Sequence, residues 1–173
     1  MTLDDGYMTH GIKQNLHTVK ASTSMDPTKL LSMPVKEARH TLQSLTPQSR
    51  LSWAFNIFKE GFAITTSFGM QSAVLLHMLK SIKGGSNIPV IWIDTGYLPK
   101  ETYLYAKELQ DLLQLDIRIV QSSFSPARME ALYGKLWETN SVKDLEKYHF
   151  LRKVEPLEKA FKDFNIQCWG SGV

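Results

Sequence analysis

Residues 65–72 (TTSFGMQS) surround one glycine with small hydroxyl-bearing side chains, and such a segment can bind an anion. Its hydroxyls and backbone N–H groups, near Ser67 and Gly69, can face a phosphate or sulfate where a helix begins. The same residues also suit an ordinary tight turn, and the segment alone does not decide between the two. It contains neither the GK[ST] of a Walker A loop nor the three glycines of the dinucleotide fingerprint.

Residues 94–102 (DTGYLPKET) form a second segment that could do chemistry. Asp94 and Thr95 offer a carboxylate and a hydroxyl that can hydrogen-bond sugar hydroxyls or the edge of a base. Gly96 admits close approach of the backbone, and Tyr97 can stack on a ring. The alternative is a plain turn that leads into a helix.

Hydrophobic periodicity puts each of these segments between a strand and a helix. Short apolar runs predict four strands, at Phe62–Thr66, 89–94, 117–120 and 166–169. Apolar stripes with helical spacing predict helices at 35–45, 47–59, 72–82, 101–115, Pro126–Tyr133 and around 157–164. Thr46 and Pro47 suit the cap and first turn of the second helix.

This alternation predicts an α/β fold, a doubly wound, mainly parallel sheet with right-handed crossovers and helices on both faces. Ligands of such sheets bind beyond the carboxyl ends of the strands, so both polar segments and the residues after Trp169 are expected there. Residues 1–33 lack sustained periodicity and are predicted to be a mobile arm, in which His10 and His17 are solvated rather than metal-bound. Residues 34–173 are predicted to form one nucleotide-binding domain.

Composition excludes several classes of protein. The net charge of +3 over 173 residues does not favour a nucleic-acid-binding protein. A single cysteine, Cys168, excludes an internal disulfide and a four-thiolate cluster. The apolar runs are too short to span a bilayer, and Asp4 and Asp5 do not suit a signal peptide. We therefore expect a protein of a reducing compartment, by default the cytoplasm, that does not enter membranes.

Three motifs, in this order and at these spacings, resemble the phosphoadenylyl-sulfate (PAPS) reductase family: TTSFGMQSAVLLHML, IPVIWIDTGYLPKETY and RKVEPLEKAF. The resemblance covers residues 53–173, and DTGYLPKETY is its most specific part. It implies a Rossmann-like sheet of the adenine nucleotide α-hydrolase type. It also implies reduction of PAPS to sulfite and adenosine 3′,5′-bisphosphate in sulfate assimilation, with electrons from thioredoxin or glutaredoxin.

The resemblance further implies which residues bind substrate. They are Ser67, Phe68 and Gly69 in the nucleotide-phosphate loop, Asp94, Thr95 and Gly96 in the nucleoside-binding loop, and Lys153, the KVEP lysine, beside the charged end of the substrate. Arg152 could be a solvated charge that is paired locally with Glu155, and Arg128 could either face a phosphate or lie on the surface of its helix. Many members of the family dimerise, and helices within residues 35–58 could contribute to such a homodimer.

Two differences between this sequence and related families indicate which branch it resembles. ATP pyrophosphatases carry SGGxDS, but this loop reads SFGMQS and lacks the second glycine and the aspartate. Adenylyl-sulfate reductases hold an iron–sulfur cluster through a cysteine pair just before RKVEP, and here that place is taken by Tyr148 and His149. The resemblance is therefore to the cluster-free branch that uses PAPS, with no metal and no cofactor.

One departure concerns the chemistry itself. The family nucleophile is a cysteine in a carboxyl-terminal Glu-Cys-Gly tail, and an arginine pair normally precedes it, but this sequence reads GSGV at 170–173. We therefore expect a chain truncated before its catalytic residue. Cys168, in an apolar run predicted to be a central strand, is expected to be a core residue rather than a substitute nucleophile. His77 is likewise expected to be a core histidine.

The leading hypothesis is a PAPS reductase whose 173-residue segment binds nucleotide without turnover. The alternatives are an ATP pyrophosphatase-type ligase or sulfurtransferase on the same fold, and a nucleotide-binding module without catalytic activity.

Overall fold

Four parallel strands form the centre of residues 27–172, the part of the chain that the computed structural model describes. The strands are β1 (Phe62–Thr66), β2 (Val90–Asp94), β3 (Ile117–Gln121) and β4 (Cys168–Ser171). The α-helices are α1 (Val35–Ser44), α2 (Pro47–Phe58), α3 (Met70–Lys80), α4 (Lys100–Leu113), α5 (Pro126–Tyr133), α6 (Val142–His149) and α7 (Glu155–Asp163). The strand order is β3-β2-β1-β4, with every pair parallel, and this confirms the predicted α/β class.

The carboxyl ends of the strands meet at one edge of the sheet. Thr65 of β1 lies opposite Ser171 of β4, and Asp94, the last residue of β2, lies opposite Gln121, the last residue of β3. Because β1 lies between β4 and β2, the loops that follow these three strands emerge side by side.

Alternate residues of the two central strands pack into two different layers. Ile64 of β1 is fully buried in the main core, together with Leu76 of α3. Ile91 of β2 is also fully buried and points to the opposite face. Helix α7 covers that second face near β3, where Arg118 lies over the ring of Phe164. Helices on both faces hold the sheet edge in place.

The predicted cap of α2 and the predicted buried stripe of α4 agree with the structure. Thr46 caps α2, and its hydroxyl accepts a hydrogen bond from the backbone N–H of Ser49 at 3.2 Å. The stripe of α4 is buried at Ala106, Leu109 and Leu113, as predicted.

The fourth strand differs from its prediction. It begins at Cys168, two residues after the predicted start at residue 166, because the N–H of Ile166 still donates to the carbonyl of Phe161 in α7. Within the described residues β4 is an edge strand, so the expectation of a central strand is wrong. Cys168 is half-buried and packs against the core cluster, which agrees with the core role expected for it.

Three further differences concern helical segments. Helix α6 and the π-helix Phe150–Val154 were not predicted, although Val142, Leu145 and Tyr148 recur on α6 at a spacing of three residues; none of the α6 residues is buried. His77 is exposed on α3, so its assignment to the core is wrong. A 3₁₀-helix, Pro27–Ser32, with Leu30 buried, precedes the predicted start of the domain at residue 34. The rest of the predicted arm, with His10 and His17, lies outside the described residues.

Candidate functional site

A cavity of about 300 Å³ opens at the carboxyl edge of the sheet. It lies between the ends of β1 and β4, the loop after β2 and the start of α7. Its lining residues are Thr65, Thr66, Ser67, Ser72, Trp92, Ile93, Thr95, Leu98, Lys153, Leu157, Ser171 and Gly172. The cavity is therefore where the strand order predicts a ligand site.

The loop after β1 is shaped by Phe68. The backbone N–H of Phe68 donates to the hydroxyl of Thr66 at 3.0 Å, and the residue adopts a φ of +55°. Its buried ring packs edge-on against Trp92, with centroids 4.9 Å apart. This anchor turns Ser67 outward to line the cavity and lets α3 begin directly afterwards, with Gly69 as its N-cap. Phe68 thus contributes a side chain to the core and only its backbone to the loop.

The loop after β2 is organised by the carboxylate of Asp94, which is buried. Its Oδ1 accepts hydrogen bonds from the N–H of Gly96 at 2.8 Å and from the hydroxyl of Tyr103 at 2.7 Å. Its Oδ2 accepts from the amide of Gln121 at 2.8 Å. Burial acts to raise the pKa of this carboxyl, but these bonds and the charge of Arg152 outweigh burial, so the pKa is lowered. Asp94 therefore holds the loop as a carboxylate.

Gly96 and Tyr97 pack this loop against α5. Gly96 has a φ of +74°, and a Cβ there would meet Cγ of Pro126 at 2.6 Å, so only glycine fits. The hydroxyl of Tyr97 donates to Oε1 of Glu130 at 2.8 Å, and its ring packs 4.7 Å from that of Trp137. Burial and the bond to Glu130 raise the pKa of Tyr97 to about 12. Tyr97 does not line the cavity, so the structure gives no support for its stacking on a ligand there.

Arg152 and Lys153 are neighbours in the π-helix but reach different places. Lys153 is exposed and lines the cavity. Arg152 exposes 2% of its surface and donates from Nε to the carbonyl of Thr95 at 2.9 Å, so its assignment as a solvated charge is wrong. Arg152, Pro156 and Ala160 are all buried at a spacing of four residues, and this stripe is the sequence signal that could have found the buried arginine.

The structure brings three of the predicted binding residues together around the cavity. They are Ser67, Thr95 and Lys153, one from each of the three motifs. The other predicted residues, Phe68, Gly69, Asp94 and Gly96, lie outside its lining and shape the two loops that carry Ser67 and Thr95. Arg128 lies over the ring of Phe124 and is not part of the lining.

The chemistry of the lining suits an anion that also carries hydroxyl groups. Six lining residues bear hydroxyls, and Lys153 supplies the one charged side chain of the described lining. The described lining contains no carboxylate that would repel an anion. Hydroxyl donors around a single ammonium group can bind phosphate or sulfate oxygens and the hydroxyls of a sugar.

The described residues place neither a thiol nor a group of metal ligands at this edge of the sheet. Cys168 pairs with Phe62, the first residue of β1, and so lies at the opposite end of the strands from the cavity. Burial raises the pKa of its thiol. Residues 27–172 contain no group of three or more His, Cys, Asp or Glu side chains that could hold a metal ion. None of their helices combines the length and the apolar character needed to cross a membrane.

Residues 61–173 match the family model described as the phosphoadenosine phosphosulfate reductase domain. The chain belongs to this family. The resemblance of its three motifs to PAPS reductases is thereby confirmed.

Relatives of known name agree with this assignment. The chain is 50% identical over 132 residues to phosphoadenosine 5′-phosphosulfate reductase of Synechocystis sp., a match that covers 76% of this chain and 52% of the relative. It is 41% identical over 141 residues to the enzyme of that name from Salmonella typhi, covering 82% of this chain and 57% of the relative. The chain thus spans about half the length of the curated relatives it matches.

A solved structure shares the fold. It is the crystal structure of PAPS reductase from Candida auris in a phosphate complex, with a TM-score of 0.68 and 28% sequence identity. The match covers 88% of this chain and 70% of that one.

Proposed function

We propose that this chain forms the adenine-nucleotide-binding part of a PAPS reductase, an oxidoreductase of sulfate assimilation and cysteine biosynthesis. The reaction reduces PAPS to sulfite and releases adenosine 3′,5′-bisphosphate. The observation that carries this proposal is the convergence of Ser67, Thr95 and Lys153 on one cavity of about 300 Å³. These residues come from three motifs far apart in the sequence, and they meet where sheets of this class bind ligands.

Each of the three lining residues that the motifs contribute has a role in this proposal. The ammonium group of Lys153 binds the charged end of PAPS, and Ser67 with the backbone around Gly69 binds a phosphate where α3 begins. Thr95 binds the nucleoside, in a loop whose shape Asp94 maintains. A charge-assisted hydrogen bond in such a sheltered site contributes about 1.5–3 kcal/mol.

Reduction of PAPS by this family uses a thiolate that attacks the sulfonate sulfur and displaces adenosine 3′,5′-bisphosphate. A second thiol then resolves the enzyme thiosulfonate and releases sulfite, leaving a disulfide. Cys168 is the one cysteine of the sequence, and three residues of β4, or about 10 Å, separate it from Ser171 at the cavity. We therefore propose that the 173-residue chain binds nucleotide but does not itself reduce PAPS.

The remaining elements of the proposal extend to this chain what the resemblance to PAPS reductases implies. Thioredoxin or glutaredoxin supplies the electrons in the whole enzyme, and no metal, iron–sulfur cluster, nucleic acid or membrane takes part. The chain acts in the cytoplasm, and a homodimer is its proposed assembly.

Calorimetric titration tests this proposal. Adenosine 3′,5′-bisphosphate is titrated into the chain, and AMP and ATP with Mg²⁺ are titrated separately. We expect the bisphosphate to bind at least about tenfold more tightly than AMP, a difference of about 1.4 kcal/mol, because it carries a second phosphate for the site. Equal or tighter binding of ATP would favour an ATP pyrophosphatase-type enzyme instead.

A second assay tests the proposed lack of turnover. The chain is incubated with PAPS, thioredoxin, thioredoxin reductase and NADPH, and sulfite is measured. No sulfite is expected above a control that lacks the chain. Steady sulfite production would contradict the proposal that a thiol beyond Cys168 is required.

A further inference from the structure

Arg152 is the least exposed charged side chain among the described residues, and it joins two loops. Its Nε and Nη2 both donate to the carbonyl of Thr95, which follows β2, and the Nε bond measures 2.9 Å. Its Nη1 donates to the carbonyl of Phe124, which follows β3. One guanidinium therefore fastens the nucleoside-binding loop to the loop that leads into α5.

This arrangement needs an arginine in particular. The guanidinium is a planar fork of five N–H donors, whereas lysine carries a single rotating ammonium group. Among the described residues no carboxylate lies in an ion pair with Arg152, so the carbonyl dipoles and the nearby charge of Asp94 stabilise it. The ring of Tyr97, whose centroid lies 5.5 Å from Cζ of Arg152, adds a cation–π contact from the same loop as Thr95. A buried charge without an ion pair is expensive to keep, and each of the three guanidinium nitrogens donates to a loop carbonyl.

We call Arg152 and the two loop carbonyls that it binds, those of Thr95 and Phe124, the clamp. The π-helix connects this clamp to the cavity. Within Phe150–Val154 the helix widens by one residue, and the N–H of Glu155 bonds back to the carbonyl of Phe150. Arg152 turns into the junction of the two loops, while the next residue, Lys153, lines the cavity. Because the two residues share a peptide bond, fixing Arg152 also fixes the point from which Lys153 extends.

We propose that Arg152 is a positioning residue for nucleotide binding, which holds Thr95 and Lys153 in fixed relation across the cavity. The inference rests on the proposed function of that cavity. It assigns a role in binding to Arg152, which does not line the cavity and acts through Thr95 and Lys153, which do.

A double-mutant cycle with calorimetry is the first part of the test. Arg152→Lys and Lys153→Met are made singly and together, and adenosine 3′,5′-bisphosphate is the probe. We expect Arg152→Lys to weaken binding about tenfold when Lys153 is present, and about threefold or less when residue 153 is methionine, because coupled residues are not additive. An equal loss in both backgrounds would overturn the proposal, since it indicates a general structural effect.

Hydrogen exchange without nucleotide is the second part, and it does not depend on the proposed function. Arg152→Lys should speed amide exchange in residues 95–98 and 122–125 together, and leave β1 unchanged. The control is Arg118→Lys, since Arg118 is a partly exposed arginine of β3 paired with Asp116 at 3.1 Å, and it should alter neither loop.

The outcomes separate the two ideas. If the unmodified chain binds no nucleotide but both loops loosen together in Arg152→Lys, the clamp is upheld and the proposed function fails. If only one loop responds, or neither does, the clamp is overturned whatever binds. Should Arg152→Lys not fold, Arg152→Gln replaces it in both measurements, and failure of both variants to fold would overturn a positioning role in favour of a purely structural one.

Discussion

The hydroxyl of Tyr103 donates a 2.7 Å hydrogen bond to Oδ1 of Asp94, and so ties the first turn of α4 to the end of β2. The other carboxylate oxygen accepts from Gln121, the last residue of β3. One buried carboxylate thereby joins two strands and a helix, and the residue after it, Thr95, faces the cavity. The carboxylate acts as a fixed point for the loop.

Acid should weaken the fold through Asp94. Its pKa is held below the ordinary value of 3.8, because hydrogen bonds and the charge of Arg152 outweigh the effect of burial. A carboxyl whose pKa is lower in the folded state stabilises the fold above its unfolded-state pKa, and this contribution is lost as the pH falls through the folded-state pKa. In urea denaturation, Asp94→Asn should lower the free energy of unfolding by about 2 kcal/mol near neutral pH and by less in acid.

Asp111→Asn is the matched control for this titration, because Asp111 is an exposed carboxylate paired with Lys107 on α4. This substitution should change the free energy of unfolding by no more than about 0.5 kcal/mol. If Asp94→Asn caused an equally small loss near neutral pH, the carboxylate would not be the fixed point described above.

Tyr103→Phe should destabilise the chain by about 1 kcal/mol, because it removes one donor to a buried carboxylate. Tyr105→Phe, two residues along the same helix, is the control, since the described residues offer its hydroxyl no hydrogen-bond partner. Both variants are compared by thermal denaturation. Equal losses would show that the bond to Asp94 contributes no more stability than the hydroxyl of Tyr105.

Gly96→Ala should destabilise the chain more than Gly69→Ala. Gly96 has a φ of +74°, which costs alanine about 1 kcal/mol of backbone strain, and the new Cβ would also meet Cγ of Pro126 at 2.6 Å. Gly69 is the control, because its φ is −69° and a Cβ there would come no closer than 3.8 Å to another residue. We expect Gly96→Ala to lose about 1–2 kcal/mol more than the control, or roughly 2–8 °C in Tm. Equal shifts in the two variants would contradict the close packing of this loop on α5.

Signals that are local in the sequence predicted most of the fold. Apolar runs marked the strands because β1 and β2 are buried on both faces, and Thr46 marked the start of α2 through its own hydroxyl. The sheet edge followed from topology alone, since parallel strands present their carboxyl ends together. The position of the cavity lined by Ser67 and Thr95 could therefore be predicted from the sequence.

The features that the sequence did not reveal depend on contacts distant in the chain. Arg152 is buried because carbonyls 57 and 28 residues earlier accept its hydrogen bonds. The stripe that it shares with Pro156 and Ala160 could have indicated that it faces inward, but not which carbonyls bind it. Helix α6 was missed although Val142, Leu145 and Tyr148 have helical spacing, because a mostly polar segment of 8 residues gives only a short pattern. Cys168 was assigned to a central strand because an apolar run gives the burial of a strand but not its order in the sheet.

Lys153→Met should weaken binding of adenosine 3′,5′-bisphosphate about tenfold and leave Tm unchanged, because the side chain is exposed and Lys153 is the one charged residue of the described cavity lining. Lys159→Met is the control, since Lys159 is an exposed lysine of α7 that pairs with Asp163 and does not line the cavity. Calorimetry should show no loss in this control. An equal loss in both would mean that overall charge, and not the position of Lys153, attracts the nucleotide.

The thiol of Cys168 should react slowly and without consequence for nucleotide binding. It is half-buried beside Phe62, and burial raises its pKa above the ordinary value of 9.0, so little thiolate is present near neutral pH. Iodoacetamide should alkylate it at least about tenfold more slowly in the folded chain than in urea, with a rate that rises as the pH increases. Cys168→Ser should bind adenosine 3′,5′-bisphosphate within about twofold of the unmodified chain, since Ser171 and not Cys168 lines the cavity. Mass spectrometry after incubation with PAPS provides the decisive check, because a sulfonate adduct on Cys168 would show that this thiol reaches the substrate after all.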